Sequence, residues 1–424
     1  MKVIIAGGGI AGLATAIGLR RAGHQVKVFE RSAFLREVGA AIHVCPNASR
    51  VLLDWGLKAE EARLVSVRRS VVAAANTLKP IVETDCSSIS RRFGAPWYLA
   101  HRVDLHSALR CLATTKDGLG LPVEIFLRSE VVQYDADEGS ITLADSSVHY
   151  ADLVIAADGV HTTAVDHVIG HSVPPVSTGS AAFRFLISTK ELLKDPETAP
   201  MVTDNDGVFK VLVADDSRRL VWYPCANSTL QNFVGIHPDQ QVGDYEDWNL
   251  SVDVNDVLSQ YRDNHPSILA ILKKANNVKR WPLLYRDPIP TWHRGRLVLV
   301  GDAAHPMLPH QGQGGAQAIE DAGALGVIFS GSLSDPSSLH LTIDDINKRL
   351  VLFENVRYNR ASAMQIFSNA GQDESWKIRE RAQQYMSAGA EVPTSPPEFI
   401  EHNFGYDVQE KAREQLREFL ETRS

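Results

Sequence analysis

Several short signals combine residue types and spacings suited to chemistry. Gly7, Gly9 and Gly12 form a G-x-G-x-x-G run directly after the apolar stretch KVIIA. In such a run the first glycine permits a tight turn, the second lets backbone approach a pyrophosphate, and the third lets helix and strand pack closely. Glu30 ends the following stretch QVKVFE, where a carboxylate can hydrogen-bond an adenosine ribose. Asp158 in ADGVH and Asp302 in GDAAHP each follow an apolar run, DLVIA and RLVLV. Ligands of open α/β sheets bind at such strand ends. Asp302 can accept hydrogen bonds from sugar-like hydroxyls or serve as a turn or helix-capping residue. Beyond it, Gly312, Gly314 and Gly315 form a glycine-rich turn that lacks the lysine of a phosphate loop.

These residues need particular elements to hold them. KVIIA reads as a buried strand, residues 10–23 as a helix stopped by Gly23, and QVKVFE as a second strand, together a β-α-β unit. Residues 103–118 read as a helix, and 131–157 alternate like strands. The region 178–285 holds short alternating runs such as AAFRFLIS and RRLVWYPC between polar turns, which predicts a mostly antiparallel sheet. Residues 345–424 read largely as helices. The expected fold class is α/β, α+β overall: a Rossmann-like nucleotide-binding domain with an inserted β-sheet substrate domain and a helical C-terminal region. The expected boundaries are 1–177 and 286–365 for the two parts of the nucleotide domain, 178–285 for the β-rich domain and 366–424 for the helical region.

Composition sets outer limits. The 424 residues carry 43 Lys+Arg against 51 Asp+Glu, a net charge of −8 without long basic runs. That argues against nucleic acid and against an anionic membrane surface as partner. No apolar stretch approaches the length of a membrane span, and no signal-peptide pattern opens the chain, so a cytoplasmic location is expected. The four cysteines are scattered without a C-x-x-C pair, which suggests buried thiols and neither disulfides nor a zinc site.

The order G-x-G-x-x-G, Glu30, Arg102 in HRVDL, Asp158–Gly159 and Gly301–Asp302 resembles the single-component FAD-dependent aromatic monooxygenases of the p-hydroxybenzoate hydroxylase type. Salicylate-hydroxylase-like members are the nearest match. The resemblance extends through GAAIHVCPNASRVL at 39–52 to GYDVQEKARE at 405–414. It implies FAD as cofactor and NAD(P)H as transient co-substrate. Gly7, Gly9, Gly12 and Glu30 would hold the ADP half, and Arg102 the flavin side. Asp158 would lie near the pyrophosphate, and Asp302 at the ribityl or pyrophosphate region. Three departures stand out: Thr162 and Val165 replace the serine and arginine of the usual D-G-x-x-S-x-x-R, Ala41 replaces a usual glycine, and His310 replaces a residue that is often aromatic. The glycine-rich turn then reads as a flavin cradle. Gly312, Gly314 and Gly315 would let backbone N–H groups approach the ring, and the helix N-terminus would stabilise negative charge on it.

The implied reaction is reduction of FAD, addition of O2 to give a C4a-hydroperoxide, and oxygen transfer to an electron-rich aromatic ring, with no metal. Arg184 interrupts the apolar run AAFRFLIS, with Phe183 and Phe185 on the opposite face. It is either a cation for a substrate carboxylate or phenolate, or an exposed strand arginine. Tyr223 either hydrogen-bonds the substrate or relays a proton, or is a core tyrosine. His43 is either a packing histidine or a covalent flavin attachment, and His305 a loop-orienting residue. Alternatives to aromatic hydroxylation are an epoxidising or dearomatising oxygenase on a larger ring system, an oxidase or reductase, and a non-catalytic dinucleotide-fold protein. A monomer or homodimer is expected.

Overall fold

Lys2–Ala6 is a strand buried along all but its first residue, the pattern of a parallel strand covered on both faces. Parallel neighbours flank it: Leu153–Ala156 on one side, Gln25–Glu30 on the other. Leu297–Leu299 and Glu124–Leu127 extend the sheet in parallel, and His293–Arg294 closes one edge antiparallel. The helix Ile10–Arg21 connects the first two strands, as the sequence predicts. The structure is a computed structural model and describes residues 1–33, 40–214, 218–239, 250–331, 341–370 and 376–422. Gly39, which opens the GAAIHVCPN segment, lies outside the described residues.

A second sheet has seven strands. Its order is Lys279–Tyr285, Val176–Ser188, Leu230–Pro238, Arg219–Cys225, Val208–Val213, Arg69–Ala74 and Pro80–Asp85. Every neighbouring pair is antiparallel except Val208–Val213 with Arg69–Ala74. The mostly antiparallel sheet expected from 178–285 is therefore present, extended by two strands from residues 69–85. Strand alternation explains its core: Phe183, Phe185 and Ile187 point to one face and bury with Trp222 and Phe233. The rings of Phe185 and Phe233 stack at 5.1 Å.

Two three-stranded sheets sit beside these. One joins Ala41–Val44, Tyr98–His101 and Val65–Ser66; the other is the meander Val131–Asp135, Ser140–Leu143 and Val148–Tyr150. The helix Arg102–Thr114 covers most of the 103–118 stretch expected as helix and ends at Thr114. Helices Ile343–Phe367, Pro396–Phe404 and Val408–Glu421 form much of the C-terminal part. Val408, Ala412 and Leu416 of the last helix join the main core beside the first sheet, so the chain end packs back on its beginning. Among the described residues no helix is long and apolar enough to cross a membrane.

Candidate active site

The parallel sheet brings distant loops to one end. A cavity of about 580 Å³ there is lined by the glycine turn at 7–9, Glu30, Arg102, Asp158, Gly159, Asp302, Gly314 and Gly315. Each glycine of the turn has its own reason. Gly7 has φ +102°, and a Cβ there would sit 2.4 Å from the Ala157 carbonyl oxygen. A Cβ on Gly12 would sit 1.9 Å from the Gly7 oxygen, so the helix can approach the strand only without one. A Cβ on Gly9 would meet nothing within 4 Å, because that position faces the open cavity. The two Glu30 oxygens accept the N–H groups of Gly8 and Ser32, each at 2.7 Å, and tie the turn to the strand end. Across the cavity, the Tyr134 hydroxyl donates to Asp158 Oδ2 at 2.5 Å. Asp158 Oδ1 is buried with no hydrogen-bond partner among the described residues, and burial raises this carboxyl from its ordinary value against the opposing pull of Tyr134 and Thr162.

The Gly301–Asp302 turn is held from behind by a buried ionic cluster. Asp321 Oδ2 accepts the Gly301 N–H at 2.9 Å and meets His305 Nε2 at 2.7 Å, while its Oδ1 accepts Arg357 Nε at 2.8 Å. Arg357 also pairs with Glu320, which accepts Asn47 Nδ2 at 2.6 Å and Gln317 Nε2 at 3.0 Å. Asp321, Glu320, His305 and Arg357 are all fully buried. Burial opposes ionisation of both acids. The guanidinium groups of Arg360 and Arg357 beside Glu320, and His305 together with Arg357 beside Asp321, outweigh it and hold both carboxyls below their ordinary values. His305 thus orients the loop, as expected from the sequence.

Arg286 joins the two carboxylate-bearing loops. Its Nη2 donates to the Val160 carbonyl at 2.9 Å, its Nη1 to Ala303 at 3.1 Å and its Nε to Val173 at 2.9 Å. One buried guanidinium therefore fixes the chain just after Asp158–Gly159 to the chain just after Asp302.

A second cavity, of about 290 Å³, meets the first along Ile42, Arg102, Asp302, Gly314 and Gly315. Small residues keep the junction open. A Cβ on Gly315 would lie 2.6 Å from Ile42 Cδ1; Gly312 has φ +61°, and its Cβ would lie 3.0 Å from His43 Nδ1. Ala41 lines the same space and donates its N–H to Asn232 Oδ1 at 3.0 Å. The helix Gly314–Ile328 begins at this junction and presents its N-terminal N–H groups there. Asp302 is exposed and opens onto both cavities, and desolvation by the protein walls around it raises its carboxyl.

Arg184 and Tyr223 both line this second cavity. Phe183 and Phe185 take the core face of the strand, which leaves Arg184 on the cavity face. Its guanidinium lies 4.2 Å over the Trp281 ring, and its Nε is buried with no hydrogen-bond partner among the described residues. Burial lowers this guanidinium to about 10. Burial also pushes the Tyr223 phenol well up, so it stays protonated at neutral pH. His43 packs edge-on against Phe209 at 4.7 Å and Tyr223 at 4.9 Å, and burial lowers its imidazole to about 4. His310 lines neither cavity. The sequence alone does not single out Arg286, Arg357, Glu320, Asp321, Tyr134 or Trp281. A charged residue inside an otherwise helical apolar run, as in AQAIEDAGAL, is the one signal that could have pointed to the buried acids.

Two strand-end carboxylates around a glycine-lined cavity define a nucleotide-binding α/β fold. Residues 1–349 match the FAD binding domain family, and the chain belongs to that family. It is 41% identical to FAD-dependent monooxygenase cfoG of Aspergillus candidus, over 99% of this chain and 96% of that protein. It is 30% identical to 3-hydroxybenzoate 6-hydroxylase 1 of Aquipseudomonas alcaligenes, over 97% of this chain and 99% of that protein. Among solved structures it superposes on a salicylate hydroxylase substrate complex with a TM-score of 0.72, at 25% identity, covering 98% of each chain. The chain is an FAD-dependent monooxygenase that uses NAD(P)H. The cavities fit FAD: Gly9 faces open space where a pyrophosphate needs room, Asp158 offers an unpartnered acceptor, and Gly312 and Gly315 leave the junction clear for a flat ring.

Proposed function

We propose that this enzyme hydroxylates a phenolic or salicylate-like ring held in the second cavity. The observation that carries this reading is Arg184, a cation with no ion pair among the described residues, facing a largely apolar cavity that opens onto the FAD site. When bound and reduced by NAD(P)H, FAD would supply the activated oxygen. The chain does the rest. Gly7, Gly9, Gly12 and Glu30 hold the ADP half, Asp158 and Asp302 its polar linkage, and Arg102 with Gly312, Gly314 and Gly315 the ring end. The N-terminus of helix Gly314–Ile328 favours negative charge beside it. Arg184 binds a substrate carboxylate or stabilises a phenolate, which makes the ring a better nucleophile. Tyr223 donates a hydrogen bond to the same oxygen. Val221, Val234, Leu283 and Leu308 line the remaining wall and exclude water, so each hydrogen bond counts for more.

The same reading includes the division into a nucleotide domain at 1–177 and 286–365, a β-rich substrate domain at 178–285 and a helical region at 366–424. The strand pair at 69–85 is shared with the β-rich unit. Free cysteines at 45, 86, 111 and 225 support a reducing, cytoplasmic setting. We take the active unit to be a monomer or homodimer. The deciding experiment is a screen of phenolic acids and larger phenols for stimulated NAD(P)H oxidation, with product masses measured. A gain of one oxygen atom on a ring is expected. NAD(P)H oxidation that yields only hydrogen peroxide with every phenol would overturn the reading.

A further inference from the structure

A third cavity, of about 250 Å³, lies against the second, and Arg184 and Trp281 line both. The two spaces are therefore separated by one stacked pair, the Arg184 guanidinium 4.2 Å over the Trp281 indole. Their linings differ in balance. The inner cavity has a largely apolar wall with Tyr223 and, where it meets the FAD site, Arg102 and Asp302, while the outer one adds His101, Asn276, Asn277 and Lys279 to a half-apolar wall. Sheet register produces this. Arg184 sits directly opposite Lys279 in the antiparallel pair Val176–Ser188 with Lys279–Tyr285, so both side chains emerge on the same face. Lys279 Nζ donates to Ser251 Oγ at 2.7 Å.

Size points the same way. Small-molecule sites commonly run from about 300 to 1,000 Å³. The inner cavity is at the bottom of that range, and it shares Asp302, Arg102, Gly314 and Gly315 with the FAD site, so a bound flavin ring would take part of it. The room left suits a single ring. An arene with any extension must reach past Arg184 and Trp281.

We propose that the substrate is an elongated phenol whose reacting ring fills the inner cavity and whose far end, carrying a carboxylate or similar oxyanion, lies in the outer cavity between Arg184 and Lys279. This rests on the aromatic hydroxylation argued above and narrows its substrate class. Arg184 then also contacts the junction of ring and tail, from a position fixed by its stack on Trp281. Lys279 and Asn276 select the tail.

The test uses the FAD-loaded enzyme and three probes: para-hydroxybenzoate, para-phenylphenol, and the biphenyl acid with hydroxyl and carboxylate at opposite ends. Binding is read from the change in flavin absorbance. The biphenyl acid is expected to bind at least about tenfold more tightly than either shorter or uncharged probe, a difference of about 1.4 kcal/mol. Lys279→Met and, separately, Asn276→Ala are expected to remove most of that advantage and leave the dissociation constant of para-phenylphenol unchanged. Equal binding of all three probes overturns the proposal, as does a loss of the same factor for every probe in both variants. Product analysis with para-phenylphenol keeps the two readings apart. Hydroxylation without a tail preference removes the outer site alone, and a tail preference without hydroxylation of any probe removes the reaction.

Discussion

Asp321 Oδ2 accepts the backbone N–H of Gly301 at 2.9 Å, so a fully buried carboxylate on one helix fixes the strand end that presents Asp302. The same carboxylate neutralises Arg357 and meets His305. Asp321→Ala takes one of two carboxylates from the buried Arg357, which keeps Glu320, and leaves His305 Nε2 without its acid partner. Removing one member of a buried ion pair typically costs about 3–5 kcal/mol. A loss of that size is expected in urea unfolding, together with weaker FAD retention. Parent-like stability would show that the cluster is dispensable.

Gly7→Ala places a Cβ 2.4 Å from the Ala157 oxygen at a backbone φ of +102°, so turn and strand must move apart. FAD affinity is expected to fall by at least about tenfold, ~1.4 kcal/mol. Gly9→Ala meets no protein atom within 4 Å and harms the protein only where it meets the cofactor. The FAD-free Gly9→Ala protein should therefore melt like the parent while holding FAD poorly. A normal flavin content in both variants would remove the pyrophosphate from this turn.

Asp302→Ala is expected to lower flavin content sharply while the FAD-free protein keeps its melting temperature, because the side chain opens onto the cavities. Wild-type flavin content would count against its proposed role.

Arg184→Ala is expected to uncouple the reaction: NAD(P)H oxidation continues, product per NAD(P)H falls several-fold, and flavin content holds. Arg184→Lys should not restore coupling, because an ammonium reproduces neither the fork nor the flat stack on Trp281. Unchanged coupling in the alanine variant would take Arg184 out of the site.

Stability should fall in acid through His24. This residue is buried, its Nε2 lies 2.8 Å from the Phe329 carbonyl oxygen, and burial lowers its imidazole to about 4. The unfolded chain, with an ordinary value near 6.5, takes up a proton first as pH falls. The folded state therefore loses stability between about pH 6.5 and about 4, on the order of 3 kcal/mol in all, and keeps it above that window. In His24→Asn the difference in urea midpoint between about pH 7 and about pH 5 should shrink. An unchanged difference would assign the acid sensitivity to other groups, His43 and His402 among them, which burial also lowers to about 4.

Local spacing determined much of this protein. KVIIAGGG followed by a helical period and QVKVFE can only be strand, glycine turn, helix and strand, since period and turn residues act over a few neighbours. The glycines, Glu30, Asp158 and Asp302 were legible for that reason, and alternation in AAFRFLIS set Arg184 apart from its flanking phenylalanines. Which face of that strand meets a cavity was not legible. It was decided by the sheet, whose other face packs Phe183 and Phe185 against helices distant in sequence. Only tertiary structure could set Leu153–Ala156 between Lys2–Ala6 and Leu297–Leu299, and so bring Asp158 and Asp302 to one cavity. Arg286 shows the limit plainly: it bonds the carbonyl of Val160, 126 residues away, and backbone carbonyls leave no mark on residue type.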